Sequence, residues 1–433
     1  MKRKLALLLM TAMMTSAIAG CSGGSPSSGE AGGNTEQGGA KTVNIGVLLP
    51  LSGESAVMGS KQKDAIELFF EDYNAAGGIQ SMDGAQVNLV FADTLGKPET
   101  GVTEIERLIN QEGVDALIGP YNSSVGAATA PIAERYQKPY LILSSVADEI
   151  MKNDYQYVFR ANSCTSDILA TISTFLQDYS GQNGFEPKTY GIVYENTDYG
   201  MENYIQLKDM VENTLGGTLV LDEPYQANTS DMSSIINKIK SEQPDVVFPV
   251  CYLNDAILFA QQLSEYQANT TLIATGGGFA VSDFCTNAGA AAEYAITNAG
   301  WSTGILDYKP EEAKKINEKY TEKTGMELDE YGAFGYFNAS VMANVLERAA
   351  STDADAIREA FLATDITADD PELLLMPYEG VKFGERDGMT NQNIYSCNIA
   401  VQILDGRFQL VAPYSLVGDE SPLVLPVPAW AER

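Results

Sequence analysis

A chain of 433 residues and 46.6 kDa has length for two or three domains, and 45% apolar with 20% charged residues supplies an ordinary globular core. With 27 Lys and Arg against 58 Asp and Glu the net charge is −31, which argues against a nucleic-acid binder that must neutralise phosphates. Histidine is absent, so Ser-His-Asp and Cys-His nucleophile systems and His-ligated zinc are excluded.

In chain order, residues 1–20 have the form of a secretory signal: Lys2-Arg3-Lys4, an apolar run from Leu5 to Met14, then small residues up to Gly20. Ile18-Ala19-Gly20-Cys21 resembles the lipobox of bacterial lipoproteins, in which the cysteine is acylated and becomes the mature N-terminus; an ordinary cleaved signal is the competing reading. Ser22 to Ala40 is a Gly/Ser/Pro/Glu tract without apolar period, so residues 21–41 are expected to be a lipidated cysteine and a flexible tether. Cleavage removes Lys2, Arg3 and Lys4 and takes the charge to near −34. No later apolar stretch is of membrane-spanning length, so the remainder is expected to be soluble and held to the outer face of the cytoplasmic membrane through Cys21. Cys164, Cys251, Cys285 and Cys397 show no CxxC or metal spacing and are read as buried thiols or one or more disulfides of open pairing.

The body alternates strand and helix. Apolar runs at Val43–Leu49, Val87–Phe91, Ala116–Gly119 and Tyr140–Leu143 read as buried strands, and Ser60–Asn74, Pro98–Gln111 and Val125–Tyr136 as the helices between them. A second cycle has helices at Asp167–Tyr179, Met201–Leu215, Met232–Ser241 and Ala256–Tyr266, with strands at Gly191–Tyr194, Thr218–Leu221, Asp245–Val250 and Thr271–Thr275. From Trp301 helices dominate (Pro310–Thr324, Phe334–Ala350, Asp353–Ala363), and strands return at Val381–Phe383, Ile394–Leu404 and Phe408–Val411. This is an α/β chain with parallel sheets covered on both faces.

In such sheets ligands sit beyond the carboxyl ends of the strands, against helix N-termini. The loop Gly119-Pro120-Tyr121-Asn122-Ser123-Ser124 precedes a helix, where Ser123 and Ser124 could hold a carboxylate with hydroxyl and amide groups alone; a plain helix cap is the competing reading. Ser144-Ser145-Val146-Ala147-Asp148, Asp198-Tyr199-Gly200, Cys251-Tyr252 and Gly276-Gly277-Gly278-Phe279 occupy matching places. GxGxxG, Walker A and GxSxG are all absent, and no nucleophile-base pair stands out; the loops fit binding better than catalysis, with no cofactor.

From about Lys41 to the C-terminus the chain resembles the leucine/isoleucine/valine-binding type of extracellular solute-binding proteins, the type I periplasmic binding fold. The resemblance rests on Ile45-Gly46-Val47-Leu48-Leu49-Pro50-Leu51-Ser52-Gly53, Asn74-Ala75-Ala76-Gly77-Gly78-Ile79, Gly113-Val114-Asp115-Ala116-Leu117-Ile118-Gly119-Pro120, Asp198-Tyr199-Gly200 and Tyr336-Phe337-Asn338-Ala339, in that order. It implies two doubly wound parallel-sheet lobes joined by three crossovers near Ala161, Asn298 and Pro377. Residues 42–160 plus 299–377 form the first lobe and 161–298 plus 378–433 the second. It further implies a monomeric receptor that closes on a small amino-acid-like ligand and delivers it to a membrane permease driven by two ATPases. On the family's pattern Ser123 binds the ligand carboxylate, Met58 packs on its side chain, and Tyr199, Tyr252 and Tyr331 line the cleft, with Tyr121 and Phe279 adding aromatic surface.

Two places depart. The loop that holds the α-amino and α-carboxyl groups is shortened to Ser144-Ser145-Val146-Ala147-Asp148, which leaves Ser145, Ala147 and Asp148 as candidate contacts. The family's ammonium-binding acid falls on Gly276; since a desolvated ammonium needs a counter-charge, either another acid, Asp148 first, takes the role, or the ligand is no simple α-amino acid. Two other functions compete: a binding protein of the same fold that signals through a separate membrane partner, and a surface hydrolase using Ser123, disfavoured without histidine or a nucleophile elbow.

Overall fold

The first strand, β1 (Thr42–Leu49), has its apolar residues buried on both faces, which requires a neighbour on each edge and a helical layer above and below. It pairs in parallel with β2 (Gln86–Asp93) and β3 (Ala116–Gly119), and β3 continues in parallel to β4 (Tyr140–Ile142) and β5 (Val158–Arg160). The connecting helices are α1 (Ala56–Ala75), α2 (Pro98–Asn110) and α3 (Ser123–Arg135). The ends of α2 are marked locally: Pro98 opens it, Glu99 lies in its first turn and Arg107 in its last, each complementing the helix dipole. The structure, a computed structural model, describes residues 42–418 and 421–433, so the signal, Cys21 and the tether lie outside the described residues.

After Arg160 the chain crosses to a second sheet and repeats the pattern with α4 (Thr165–Tyr179), β6 (Thr189–Glu195), α5 (Asp198–Asp209), β7 (Thr218–Tyr225), α6 (Ser233–Glu242), β8 (Val246–Val250), α7 (Leu253–Glu265), β9 (Thr271–Ala274), α8 (Ser282–Ala288) and β10 (Ile296–Ala299). Beyond Ala299 it returns to the first lobe through α9 (Glu311–Thr324), α10 (Glu330–Ala349), which packs on α1, and α11 (Ala354–Leu362). A two-stranded ribbon pairs β11 (Ile366–Thr367) with β12 (Gly380–Val381). The hairpin β13 (Phe383–Arg386) and β14 (Met389–Asn393) and the hairpin β15 (Ile399–Leu404) and β16 (Arg407–Ala412) then complete two seven-stranded sheets. Their orders are β13-β14-β5-β4-β3-β1-β2 and β16-β15-β10-β9-β8-β6-β7, parallel except at the late hairpins.

This order corrects one expected boundary. The third crossover is not near Pro377: residues 383–393 belong to the first sheet, and the chain crosses between Asn393 and Ile399. The strand β14, Met389-Thr390-Asn391-Gln392-Asn393, has no apolar alternation because its side chains fasten the crossover. Gln392 Oε1 accepts from Arg160 Nε at 2.6 Å, and Asn393 Nδ2 donates to the Ala161 carbonyl at 3.1 Å. The three- and four-residue strands β5 and β10 are too short to show a period in the sequence. α5 begins at Asp198 and runs into a π-helical turn at Met210–Thr214, and α10 begins at Glu330, four residues before the expected Phe334. The α10 start is set by Asp329, whose side chain accepts from the Tyr331 and Gly332 amides.

Two glycines bring helices against strand ends. A Cβ on Gly59 would lie 2.0 Å from the Pro50 carbonyl oxygen, and one on Gly200 would lie 1.7 Å from that of Glu195. Both sit in the first turns of helices that follow the leading strand of a sheet, so each lobe aims a helix N-terminus at the same edge of its sheet. Cys164, Cys251, Cys285 and Cys397 are free thiols, the first two buried. Among the described residues no helix is long and apolar enough to cross a membrane.

Candidate functional site

The strand ends of the two sheets face each other across a cavity of about 40 Å³. From the first lobe it is lined by Tyr121 and Ser123 at the start of α3, Ser144 and Val146 after β4, and Glu330, Tyr331 and Phe334 from α10. From the second lobe come Tyr199 of α5, Tyr252, Thr275, Gly276 and Gly277, with Ser163, Asn298 and Asn398 from the crossovers.

The α3 N-terminus supplies the polar floor. Asn122, not Ser123, is the N-cap residue, and no side chain caps the helix, so its first-turn amides are not taken up by a capping group. Ser123 is buried, and its Oγ is 3.4 Å from the Ala147 amide that donates to it. Ser145, fully buried behind it, donates to the Asn122 carbonyl at 2.9 Å and ties the β4 loop to the helix start.

Aromatic rings form the walls. Tyr121 meets Tyr331 edge to face with centroids 5.1 Å apart and lies 5.8 Å from Tyr252, which is 5.2 Å from Tyr199. The Tyr199 hydroxyl is 3.2 Å from Thr275 Oγ1, and the Tyr331 hydroxyl reaches across the cleft to the Gly277 carbonyl at 3.2 Å. Burial pushes the Tyr121, Tyr199 and Tyr331 hydroxyls up, so all three stay neutral. Beyond Tyr252, which borders both, a second cavity of about 90 Å³ is lined by Met58, Ser124, Asn122, Glu54 and Asn228.

Of the expected residues, Ser123, Tyr199, Tyr252, Gly276 and Tyr331 therefore converge on one cavity, and Met58 and Ser124 on its neighbour. Others lie elsewhere. Ser145 and Ala147 are buried behind Ser123, with the Ala147 carbonyl held by Arg160 at 2.9 Å, and neither lines the cavity. Phe279 is fully buried against Phe284, centroids 4.6 Å apart, within the second lobe. Asp148 does not face the cavity: its carboxylate accepts from the Ser166 amide at 3.2 Å, the Ser166 hydroxyl and Gln206 Nε2 at 3.1 Å. Burial alone would raise its pKa, but Arg160 and these bonds hold it below the usual carboxylate range.

The acid that does line the cavity is Glu330, which the sequence reading missed because α10 was expected to begin at Phe334. It is 6% exposed, and its Oε1 accepts from the Gly300 amide. Burial pushes its pKa up to about 8, the Gly300 bond opposing and the neighbouring Asp329 adding to the rise. Among the described residues no Lys or Arg lines either cavity. Gly276 itself sits at φ 85°, ψ −127°, a conformation that an L side chain avoids, so this loop presents backbone rather than a carboxylate.

Beside the cavity the lobes are clamped. Lys61 of α1, 2% exposed, pairs with Asp329 at 2.6 Å and with Asp283 of α8 in the opposite lobe. Burial would lower its pKa, but the two carboxylates outweigh it and raise it. Asn228 of the second lobe donates to Glu54 of the first at the far end of the cleft.

Comparisons with known proteins agree with this architecture. The Periplasmic binding protein family profile matches residues 42–401. "Leu/Ile/Val-binding protein homolog 7" of Brucella abortus is 29% identical over 385 residues, covering 86% of this chain and 91% of the relative. Two solved structures share the fold. The branched-chain amino acid transporter substrate binding protein LivJ of Streptococcus pneumoniae, in complex with isoleucine, aligns with TM-score 0.72 at 22% identity over 86% of this chain and 100% of its own. A solute binding protein of an ABC transporter from R. palustris, in complex with benzoate, aligns with TM-score 0.72 at 19% identity over 88% and 99%.

Proposed function

Because the chain belongs to the periplasmic binding protein family, exported solute-binding proteins rather than enzymes, and is related to branched-chain amino acid transport, we propose that it captures an amino acid with an apolar side chain for an ABC importer. The observation that carries this reading is the cavity closed between the two sheets, with Ser123 and the uncapped start of α3 on one wall and tyrosines on the others. A carboxylate is held there by hydroxyl and amide dipoles without a basic residue, and the rings and Met58 receive the apolar side chain. Opening needs bending only at the crossovers after Arg160, after Ala299 and between Asn393 and Ile399; ligand contacts with both lobes then favour the closed state. Acylation of Cys21 holds the monomeric receptor at the outer face of the membrane, beside a permease with two ATPases.

Thermal unfolding against the twenty L-amino acids, benzoate and urea tests this. A ligand that binds only the folded state adds about 2.7 kcal/mol at a hundredfold excess over its Kd. At least one of leucine, isoleucine, valine and phenylalanine is expected to raise the Tm by several degrees. A shift with benzoate or urea and with no amino acid contradicts the reading.

A further inference from the structure

Glu330 is placed where a ligand, not the fold, gives it a use. Among the described residues it is the one carboxyl group on the wall of the main cavity, no cation lines that wall, and its only side-chain hydrogen bond is from the Gly300 amide. Asn398 shares the wall; its Oδ1 is buried with no hydrogen-bond partner among the described residues, while its Nδ2 donates to Asn298. Two residues with acceptor groups thus line a site that also holds Ser123 and the α3 N-terminus, which offer donors. This polarity fits a zwitterion in one orientation, carboxylate toward α3 and ammonium toward α10. A bare carboxylic acid satisfies the donors but leaves the acceptors facing apolar carbon.

Resting on the amino-acid reading above, we propose that Glu330 is the ammonium-recognition group of this cleft and selects α-amino acids over the corresponding carboxylic acids. It takes the role that the backbone at Gly276 cannot fill. Binding is then coupled to a proton: the protonated carboxyl and the ligand's –NH₃⁺ become a carboxylate–ammonium pair, and one H⁺ leaves to solvent. Burial, with the neighbouring Asp329 that is itself paired with Lys61, keeps the carboxyl protonated in the empty cleft; the Gly300 amide opposes this, and the neutral hydroxyls of Tyr121 and Tyr331 add no charge. With a pKa of about 8 in the free protein, the release at pH 7 is about 0.9 proton per ligand.

Calorimetry in buffers of different ionisation enthalpy reads both affinity and proton release. The probes are L-leucine, L-isoleucine and L-phenylalanine beside 4-methylpentanoate, 3-methylpentanoate and 3-phenylpropanoate. In the wild-type protein the tightest amino acid is expected to bind at least tenfold tighter than its deaminated partner, with close to one proton released. Glu330→Gln keeps the acceptor for Gly300, so it should fold; it is expected to lose at least tenfold in amino-acid affinity and all proton release, with the acids unaffected. Glu330→Asp, which keeps the charge, restores the proton release and is a second check should the glutamine variant melt early. Unchanged preference and proton release in both variants overturns the inference and leaves the amino-acid reading standing. A wild-type protein that binds no L-amino acid, whether or not it binds the acids, overturns that reading and the inference together.

Discussion

Lys61→Ala is expected to destabilise the folded protein by roughly 3–5 kcal/mol, the cost of leaving a buried carboxylate without its partner. The lysine is 2% exposed, and Asp329, 6% exposed, uses one oxygen for the Lys61 pair and the other to cap α10. Asp329 cannot turn to solvent without uncapping the helix that carries Glu330 and Tyr331. Asp283 is different: it is 28% exposed and pairs with Lys61 from the opposite lobe, a contact expected to break when the lobes part. Asp283→Asn should therefore leave Tm nearly unchanged in the open protein and weaken ligand binding through the closed state. Denaturant melts and calorimetry on the two variants separate these effects; equal stability loss in both contradicts the assignment of Asp283 to the closed state.

Stability is expected to fall with rising pH through the Glu330 titration. An acid whose folded pKa lies near 8 against an ordinary 4.5 binds its proton more tightly in the folded state. Its contribution is fully present below about pH 4.5 and is lost as pH rises through 8. The difference across that window is roughly 3–5 kcal/mol. Glu330→Gln carries no such titration, so the variant should gain on the wild type by this amount between pH 4.5 and 9 in the ligand-free state. Parallel stability curves for the two proteins contradict the burial of an ionisable Glu330. A bound ammonium removes the effect, so saturating ligand should flatten the wild-type curve.

The sheets were legible because their strands are apolar runs bounded by turn residues, and the helix starts after them located Ser123, Tyr199 and Tyr252 at one edge. What was not legible depends on contacts distant in the chain. Lys61 reads as one more lysine on a helix, yet its partners are 222 and 268 residues away. Asp148 reads as the first candidate for the ammonium acid because it follows a strand-end loop; only the fold shows that Ser166 and Gln206 occupy it. Glu330 owes its position to the α10 cap and its burial to the crossover at Gly300, neither of which has a local pattern. The polar strand β14 was invisible for a related reason: its amides exchange hydrogen bonds with the first crossover instead of filling an apolar core.

The central claim, an amino acid held by its carboxylate at the start of α3, is tested most directly by titrating the tightest-binding amino acid into the wild-type protein and Ser123→Ala. A hydrogen bond to a charged group is worth roughly 1.5–3 kcal/mol, so the account predicts about a ten- to hundredfold rise in Kd with Tm in the absence of ligand nearly unchanged. An unchanged Kd in a properly folded Ser123→Ala protein contradicts it.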